Sequence, residues 1–117
     1  MSHGFINSPF GFATEFDNGW EVSVQWGPGN YCETRQNNIY MGINPFDGTF
    51  RRYDSTNAEV RVRYVPTNQM LALQPHEDVD GWVSPNDVVQ LMSVVAALPK
   101  RYLRQLPCSW KKEYASN

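Results

Sequence analysis

Two segments of alternating apolar and polar residues flank Asp17-Asn18-Gly19 and form the clearest pattern in the sequence. Alternation with a period of two is typical of a β-strand that is buried on one face. A short segment with Asn-Gly between two such strands is typical of a hairpin turn. The pattern therefore predicts a β-hairpin over residues 10–26.

The apolar positions also predict the register of this hairpin. A three-residue turn pairs Phe16 with Trp20 and Phe12 with Val24, which places the apolar residues of both strands on one face. A two-residue turn would place them on opposite faces, so burial favours the longer turn. The longer turn is a type I turn with a bulge, in which Gly19 is left-handed. The intervening side chains are then predicted to face water: Glu15, Glu21, Ser23 and Gln25.

Four further segments are predicted to be strands. Residues 39–43 and 49–53 flank Asn-Pro-Phe-Asp-Gly, a turn sequence, and indicate a second, weaker hairpin. Residues 58–65 alternate again, with valines on one face and arginines on the other, and Pro66 ends the run. Residues 70–74 form one more short apolar segment.

A helix is predicted to follow, starting at Ser84. Ser84 is placed as the N-cap, Pro85 occupies the first helical position, and Asp87 stands where a capping box has an acid. Pro99 ends the pattern. Apolar residues cover more than half of the helix circumference, which is more than packing on a sheet requires. We expect the C-terminal segment to cover the excess with four residues: Tyr102, Leu103, Leu106 and Trp110.

These elements predict a single α+β domain over residues 1–117. The expected fold is an antiparallel, hairpin-rich β-sheet with one main C-terminal helix and a short helical tail, both packed on one face. Residues 1–9 are expected to be loosely ordered, residues 10–74 to form the sheet, and residues 84–112 to form the helical cover.

Composition narrows the classes of function. The 117 residues carry 10 basic and 12 acidic side chains, and this near balance argues against a dedicated nucleic-acid-binding protein. No signal peptide is recognisable, and the longest apolar run, residues 94–98, is too short to cross a bilayer. We therefore expect a cytoplasmic protein without a membrane partner, whose Cys32 and Cys108 are reduced.

The segment WGPGNYC, residues 26–32, is the first candidate binding site. Backbone amides near Gly27, Gly29 and Asn30 could form a concave anion site. Trp26 and Tyr31 bracket these amides and could stack on a planar ring. The alternative is a strand terminator whose aromatic residues anchor the loop to the core, and the phase of Trp26 with the buried face favours that role for it.

Arginines are the second candidate feature. Arg35 follows the loop and could pair with a phosphate. Arg61 and Arg63 project from the face of their strand that lies opposite the valines, with Arg51 and Arg52 nearby in sequence. Their basic face could bind an anionic ligand or an acidic partner. Alternatively, they could form cross-strand charge pairs with Glu15 and Glu21.

Evidence for catalysis is weaker. His76, Glu77, Asp78 and Asp80 could hold a hard metal ion and support a metal-assisted hydrolase, but an exposed acidic loop before a capped helix explains them as well. No nucleophile, base and orienting group form a recognisable motif. No cofactor is predicted, and catalytic activity is the less favoured alternative.

Three segments of the chain, GWEVSVQWGPGNYC, AEVRV and GWVSPNDVVQLM, resemble a group of small uncharacterised proteins encoded by tailed bacteriophages and prophages. The resemblance covers most of the chain outside the NPFDGTFRRY segment and transfers no catalytic residue. It implies a phage product acting in the host bacterial cytoplasm.

The resulting expectation is a non-enzymatic phage accessory protein with a role against host defence. It would block a host protein or sequester a small anionic ligand such as a nucleotide signal. One alternative is a virion or assembly component, in which the wide apolar face of the helix packs against other copies in a homo-oligomer.

Overall fold

Six strands form one antiparallel sheet, and one helix packs on it. The structure is a computed structural model that describes residues 4–8, 11–27, 30–32, 42–43, 50–51, 55–73, 78–107 and 109–111. The predicted α+β class is confirmed. The strands are β1 (Gly4–Ser8), β2 (Gly11–Glu15), β3 (Trp20–Gln25), β4 (Gly42–Ile43), β5 (Phe50–Arg51), β6 (Ala58–Tyr64), β7 (Gln69–Met70) and β8 (Val79–Val83), and the helix is α1 (Pro85–Ala96).

The sheet has the order β1-β2-β3-β6-β7, and β8 also pairs with β6. β7 pairs with the end of β6, and β8 pairs with its beginning. β4 and β5 form a separate two-stranded sheet, which confirms the pairing of the second predicted hairpin, while its other residues lie outside the described part of the chain. Residues 4–8, expected to be loosely ordered, form β1 at an edge of the sheet.

The first hairpin has the predicted register. Phe12 pairs with Val24, the N–H of Phe16 donates to the carbonyl of Trp20 over 2.8 Å, and Gly19 has a φ of 88°. The pair predicted between Phe10 and Trp26 lies outside the described residues. The predicted face of the apolar side chains is confirmed, since it carries the hydrophobic core.

The prediction that Glu15 and Glu21 face water is wrong. They are 6% and 9% exposed, although they lie on the sheet face opposite the core. The two glutamates pair directly across β2 and β3, and Arg63 of β6 contacts Glu21 from the other side. Alternation assigned the correct face, but it does not show whether that face is covered.

The core lies between the β3–β6 half of the sheet and α1. Trp20 and Val22 face Tyr64 and Val62 across the strand pair. The buried side chains that α1 contributes are Val88, Leu91 and Val95. The helix begins as predicted, with Ser84 accepting a hydrogen bond from the N–H of Asp87.

The C-terminal segment packs on the core as predicted, but it is not helical in the part that the structure describes, and Val89 on the wide apolar face of α1 stays 66% exposed. Trp110 is 5% exposed, and three partly buried side chains pack on the same core: Tyr102, Leu103 and Leu106. The N–H of Ala72 donates to the carbonyl of Arg104, beside a parallel bridge to Gln105. Pro99 and Pro107 disfavour a helix because proline removes a backbone donor.

Candidate functional site

The loop after β3 is folded back on itself by its own hydrogen bonds. Gly27 has a φ of 86°, a left-handed conformation that glycine adopts without steric cost. The N–H of Asn30 donates to the carbonyl of Gly27, and the N–H of Cys32 donates to that of Asn30. The Asn30 side chain donates to the carbonyl of Trp26 over 2.9 Å. The backbone amide of Asn30, a candidate for binding an anion, therefore has a partner within the loop.

Glu59 of β6 anchors the loop to the sheet. Its carboxylate accepts a hydrogen bond of 2.8 Å from the backbone N–H of Tyr31. Glu59 is only 6% exposed, so the contact is shielded from water. Hydrogen bonds from an N–H to a carboxylate are stronger than those between neutral groups. The negative group that this amide binds is therefore supplied by the protein itself.

A β-bulge in β8 lies next to this anchor. Asp80 pairs with Val60 and Val83 with Ala58, so Gly81 and Trp82 together stand opposite Glu59. Trp82 has a φ of 52°, and its N–H donates to the carbonyl of Tyr31 over 2.8 Å. Bulges re-aim side chains and occur frequently next to functional sites.

The bulge brings Trp82 against Tyr31. The ring centroids are 5.8 Å apart with an angle of 34° between the planes, and the side chains are on the surface, with Trp82 54% and Tyr31 39% exposed. A Cβ atom on Gly81 would lie 2.5 Å from that of Tyr31, so the close approach of the loop requires glycine at this position. We call Tyr31 and Trp82 the aromatic pair.

The two arginines of β6 have different surroundings. Arg63 donates to both carboxylate oxygens of Glu21, at 3.1 and 3.2 Å, and to the side chain of Asn68. This contact is a cross-strand charge pair of the kind considered from the sequence. Arg61 lies 3.7 Å from Glu59, and 55% of its side chain is exposed. Since Glu59 also holds Tyr31, the Arg61 guanidinium lies near the anchor of the aromatic pair.

Not every predicted site residue is described by the structure or contributes to the aromatic pair. Trp26 is partly buried against the core, in agreement with its phase in the hairpin, and does not belong to the aromatic pair. Gly29 and Arg35 lie outside the described residues, as do Arg52, His76, Glu77 and Cys108. Trp82 was missed, because nothing in the short-range pattern indicates that an isolated Gly-Trp faces solvent.

Asp80, a candidate metal ligand, has another role. It is 5% exposed, and its carboxylate oxygens lie 3.3 and 3.4 Å from the ammonium group of Lys111. The ion pair joins β8 to the C-terminal segment. Within the described ranges, no three histidine, cysteine, aspartate or glutamate side chains are grouped closely enough to hold a metal ion.

No protein-family model, curated protein or solved structure matches the chain. Within the residues described, no helix has the length and apolar character needed to cross a membrane.

Proposed function

We propose that this chain is a non-enzymatic binding protein, and that the aromatic pair with Arg61 is its binding surface. The observation that carries the proposal is the fixed display of Trp82. Its indole is more than half exposed, while its backbone is held in a left-handed conformation by the hydrogen bond to Tyr31. For a bulky residue this conformation costs about 1–3 kcal/mol, and such strain is concentrated at functional sites.

The chemistry of the surface favours a protein partner. Tryptophan, tyrosine and arginine are the residues most enriched among those that dominate binding energy at protein interfaces. The partner would cover the two rings and would pair with the guanidinium of Arg61, whose contact with Glu59 is long at 3.7 Å. A preformed surface binds with a smaller loss of conformational entropy, and the anchor at Glu59 supplies this preorganisation.

A small anionic ligand with a planar ring is the second candidate. Trp82 could stack on the ring while Arg61 binds the negative group. A nucleotide has both parts. Arg61 supports this candidate, but the loop amides support it less, since those of Asn30, Tyr31 and Cys32 already donate to groups of the protein.

The resemblance to phage-encoded proteins supports a partner in the host bacterium. We therefore place the protein in the host cytoplasm, where it would block a host protein or sequester a nucleotide signal. Blocking requires affinity without turnover, in keeping with a surface that presents rings and a cation rather than a set of acid–base groups.

Affinity capture from a bacterial lysate tests the proposal. The immobilised chain is compared with Trp82→Gly, which removes the indole and suits the left-handed backbone, and with Arg61→Ala. Val89→Ala is the matched control, because Val89 is an exposed apolar residue, 66% exposed on α1, that is not part of the aromatic pair. We expect a bound host protein that is retained by the wild type and the control and lost with Trp82→Gly. Retention of every bound protein by Trp82→Gly would contradict the proposed surface.

A thermal-shift screen with nucleoside phosphates and cyclic nucleotides tests the second candidate. A rise in melting temperature that disappears in both Trp82→Gly and Arg61→Ala would identify a nucleotide as the ligand. A rise in melting temperature that persists in both variants would show that the nucleotide binds elsewhere on the protein. If no nucleotide raises the melting temperature, a protein partner is the remaining candidate.

A further inference from the structure

The outer edge of β1 is not paired with any of the described strands. β1 lies at the end of the sheet and pairs only with β2. An edge strand presents a row of backbone N–H and C=O groups that bind another strand. Proteins usually protect such edges with lysine, proline or a bulge, but β1 reads GFINS and pairs with β2 without a bulge. Among the described residues, nothing therefore occupies this edge or prevents a further strand from pairing there.

The hydrogen-bonding pattern shows which residues of β1 present these groups. The N–H of Phe16 donates to the carbonyl of Trp20. Every second residue of β2 counted back from Phe16, beginning with Thr14, therefore forms its backbone hydrogen bonds with β3. Backbone groups alternate in direction along a strand, and Ala13 of β2 therefore bonds to β1. Ala13 pairs with Ile6.

Because Ile6 bonds to β2, its neighbours Phe5 and Asn7 direct their N–H and C=O groups away from the sheet. The apolar side chains at this edge are also exposed on both faces. Phe5 is 86% exposed and Ile6 is 45% exposed, and they point to opposite faces because they are adjacent in the strand.

We propose that β1 pairs with β1 of a second copy of this chain, antiparallel, about a twofold axis at Ile6. In this register Phe5 of each copy pairs with Asn7 of the other. The four N–H groups and the four carbonyls that these residues direct outward on the two copies are then all hydrogen-bonded. A C2 interface requires a self-complementary surface. β1 meets this condition because its outward groups are placed symmetrically around Ile6 and none of its residues is charged.

The register places the two Ile6 side chains directly opposite each other. They form a pair without hydrogen bonds between them, and in such a pair the side chains of an antiparallel sheet approach most closely. Each copy thereby covers apolar surface of the other at the edge. This dimer differs from association through the apolar face of the helix, since its interface is the edge of β1. The proposal does not depend on the aromatic pair.

Sedimentation velocity over a range of concentrations, with variants at Ile6, tests the pairing. We expect the wild type to dimerise. Ile6→Lys and Ile6→Glu each place like charges opposite one another and should weaken self-association about tenfold or more. An equimolar mixture of the two variants should recover a heterodimer, because lysine then faces glutamate across the axis. Val89→Lys, an exposed apolar position on α1, is the control and should leave dimerisation unchanged.

Asn7→Pro tests the backbone contribution independently of side-chain charge. It removes an outward N–H without removing a hydrogen bond to β2, and an edge strand tolerates proline at such a position. We expect a folded monomer. A wild-type chain that remains monomeric up to about 1 mM would overturn the proposal. Dimers that persist in both Ile6→Lys and Asn7→Pro, or a charge-variant mixture that stays monomeric, would overturn it as well.

Discussion

The side-chain amide of Asn18, in the turn of the first hairpin, donates a hydrogen bond of 2.9 Å to the carbonyl of Val95 in the last turn of α1. The same nitrogen lies 3.3 Å from the carbonyl oxygen of Ala96 and 2.9 Å from that of Leu98. The last carbonyls of a helix have no partner within the helix. Asn18 supplies one, while its own oxygen accepts from the N–H of Trp20. The hairpin turn therefore caps the helix from across the core.

Substitution of Asn18 should destabilise the protein more than its position in a turn suggests. Asn18→Ala leaves helix carbonyls and the Trp20 N–H without this partner in a buried setting, which should lower the free energy of unfolding by about 1–3 kcal/mol. Urea denaturation measures the loss. Asn86→Ala, at an exposed position of α1, is the control and should change the value by less than about 0.5 kcal/mol. Equal effects of the two substitutions would show that the cap is unimportant.

The backbone of Trp82 predicts an unusual order of stability among substitutions. Gly adopts a positive φ without steric cost, whereas Ala keeps a Cβ that disfavours it. Trp82→Gly should therefore be more stable than Trp82→Ala by about 1 kcal/mol, opposite to the usual order in a strand. Thermal unfolding of the two variants provides the comparison. A more stable alanine variant would show that the left-handed conformation is not maintained in solution.

Gly81→Ala should release the loop from the sheet. The new Cβ would lie 2.5 Å from the Cβ and 2.8 Å from the carbonyl oxygen of Tyr31, so the loop must move. The amide of Trp82, which bonds to that carbonyl, should then exchange with solvent at least about tenfold faster in hydrogen-exchange measurements. The amide of Leu71, which donates to Val62 elsewhere on β6, is the internal control. Equal acceleration at both amides would indicate general destabilisation rather than release of the loop.

The ion pair between Asp80 and Lys111 should matter most when one partner is removed. Lys111→Met leaves a buried carboxylate without its ammonium partner and should cost about 3–5 kcal/mol of unfolding free energy. Adding Asp80→Asn should recover much of this loss, because the side chain at position 80 is then neutral and leaves no unpaired charge at this site. Lys100→Met, at an exposed position, is the control. A double variant as unstable as Lys111→Met alone would show that packing, not charge, explains the effect.

Local rules account for the elements that were predicted correctly. The register at Phe12 and Val24 follows from alternation and a three-residue turn, and the helix start at Ser84 follows from a cap that acts within one turn. These signals span only a few neighbouring residues. They can therefore be recognised in the sequence before the rest of the fold is known.

Two strands, β1 and β8, were not predicted from the sequence, and each has an identifiable physical reason. β1 contains glycine, asparagine and serine, which are weak strand formers, and it is held by pairing with β2. In β8 the bulge at Gly81 and Trp82 interrupts the alternation by which a strand is recognised. In both cases the partner strand, not the local sequence, stabilises the element.

By itself, the sequence determined the first hairpin, its buried face, the central strand β6 and the helix with its cap, because each depends on short-range periodicity and turn chemistry. Only the tertiary structure decided the candidate site. Tyr31 was predicted from its loop, but Trp82 reaches it because β8 pairs with β6 in a register that contains a bulge. That register depends on contacts between residues far apart in the chain, which no local pattern records.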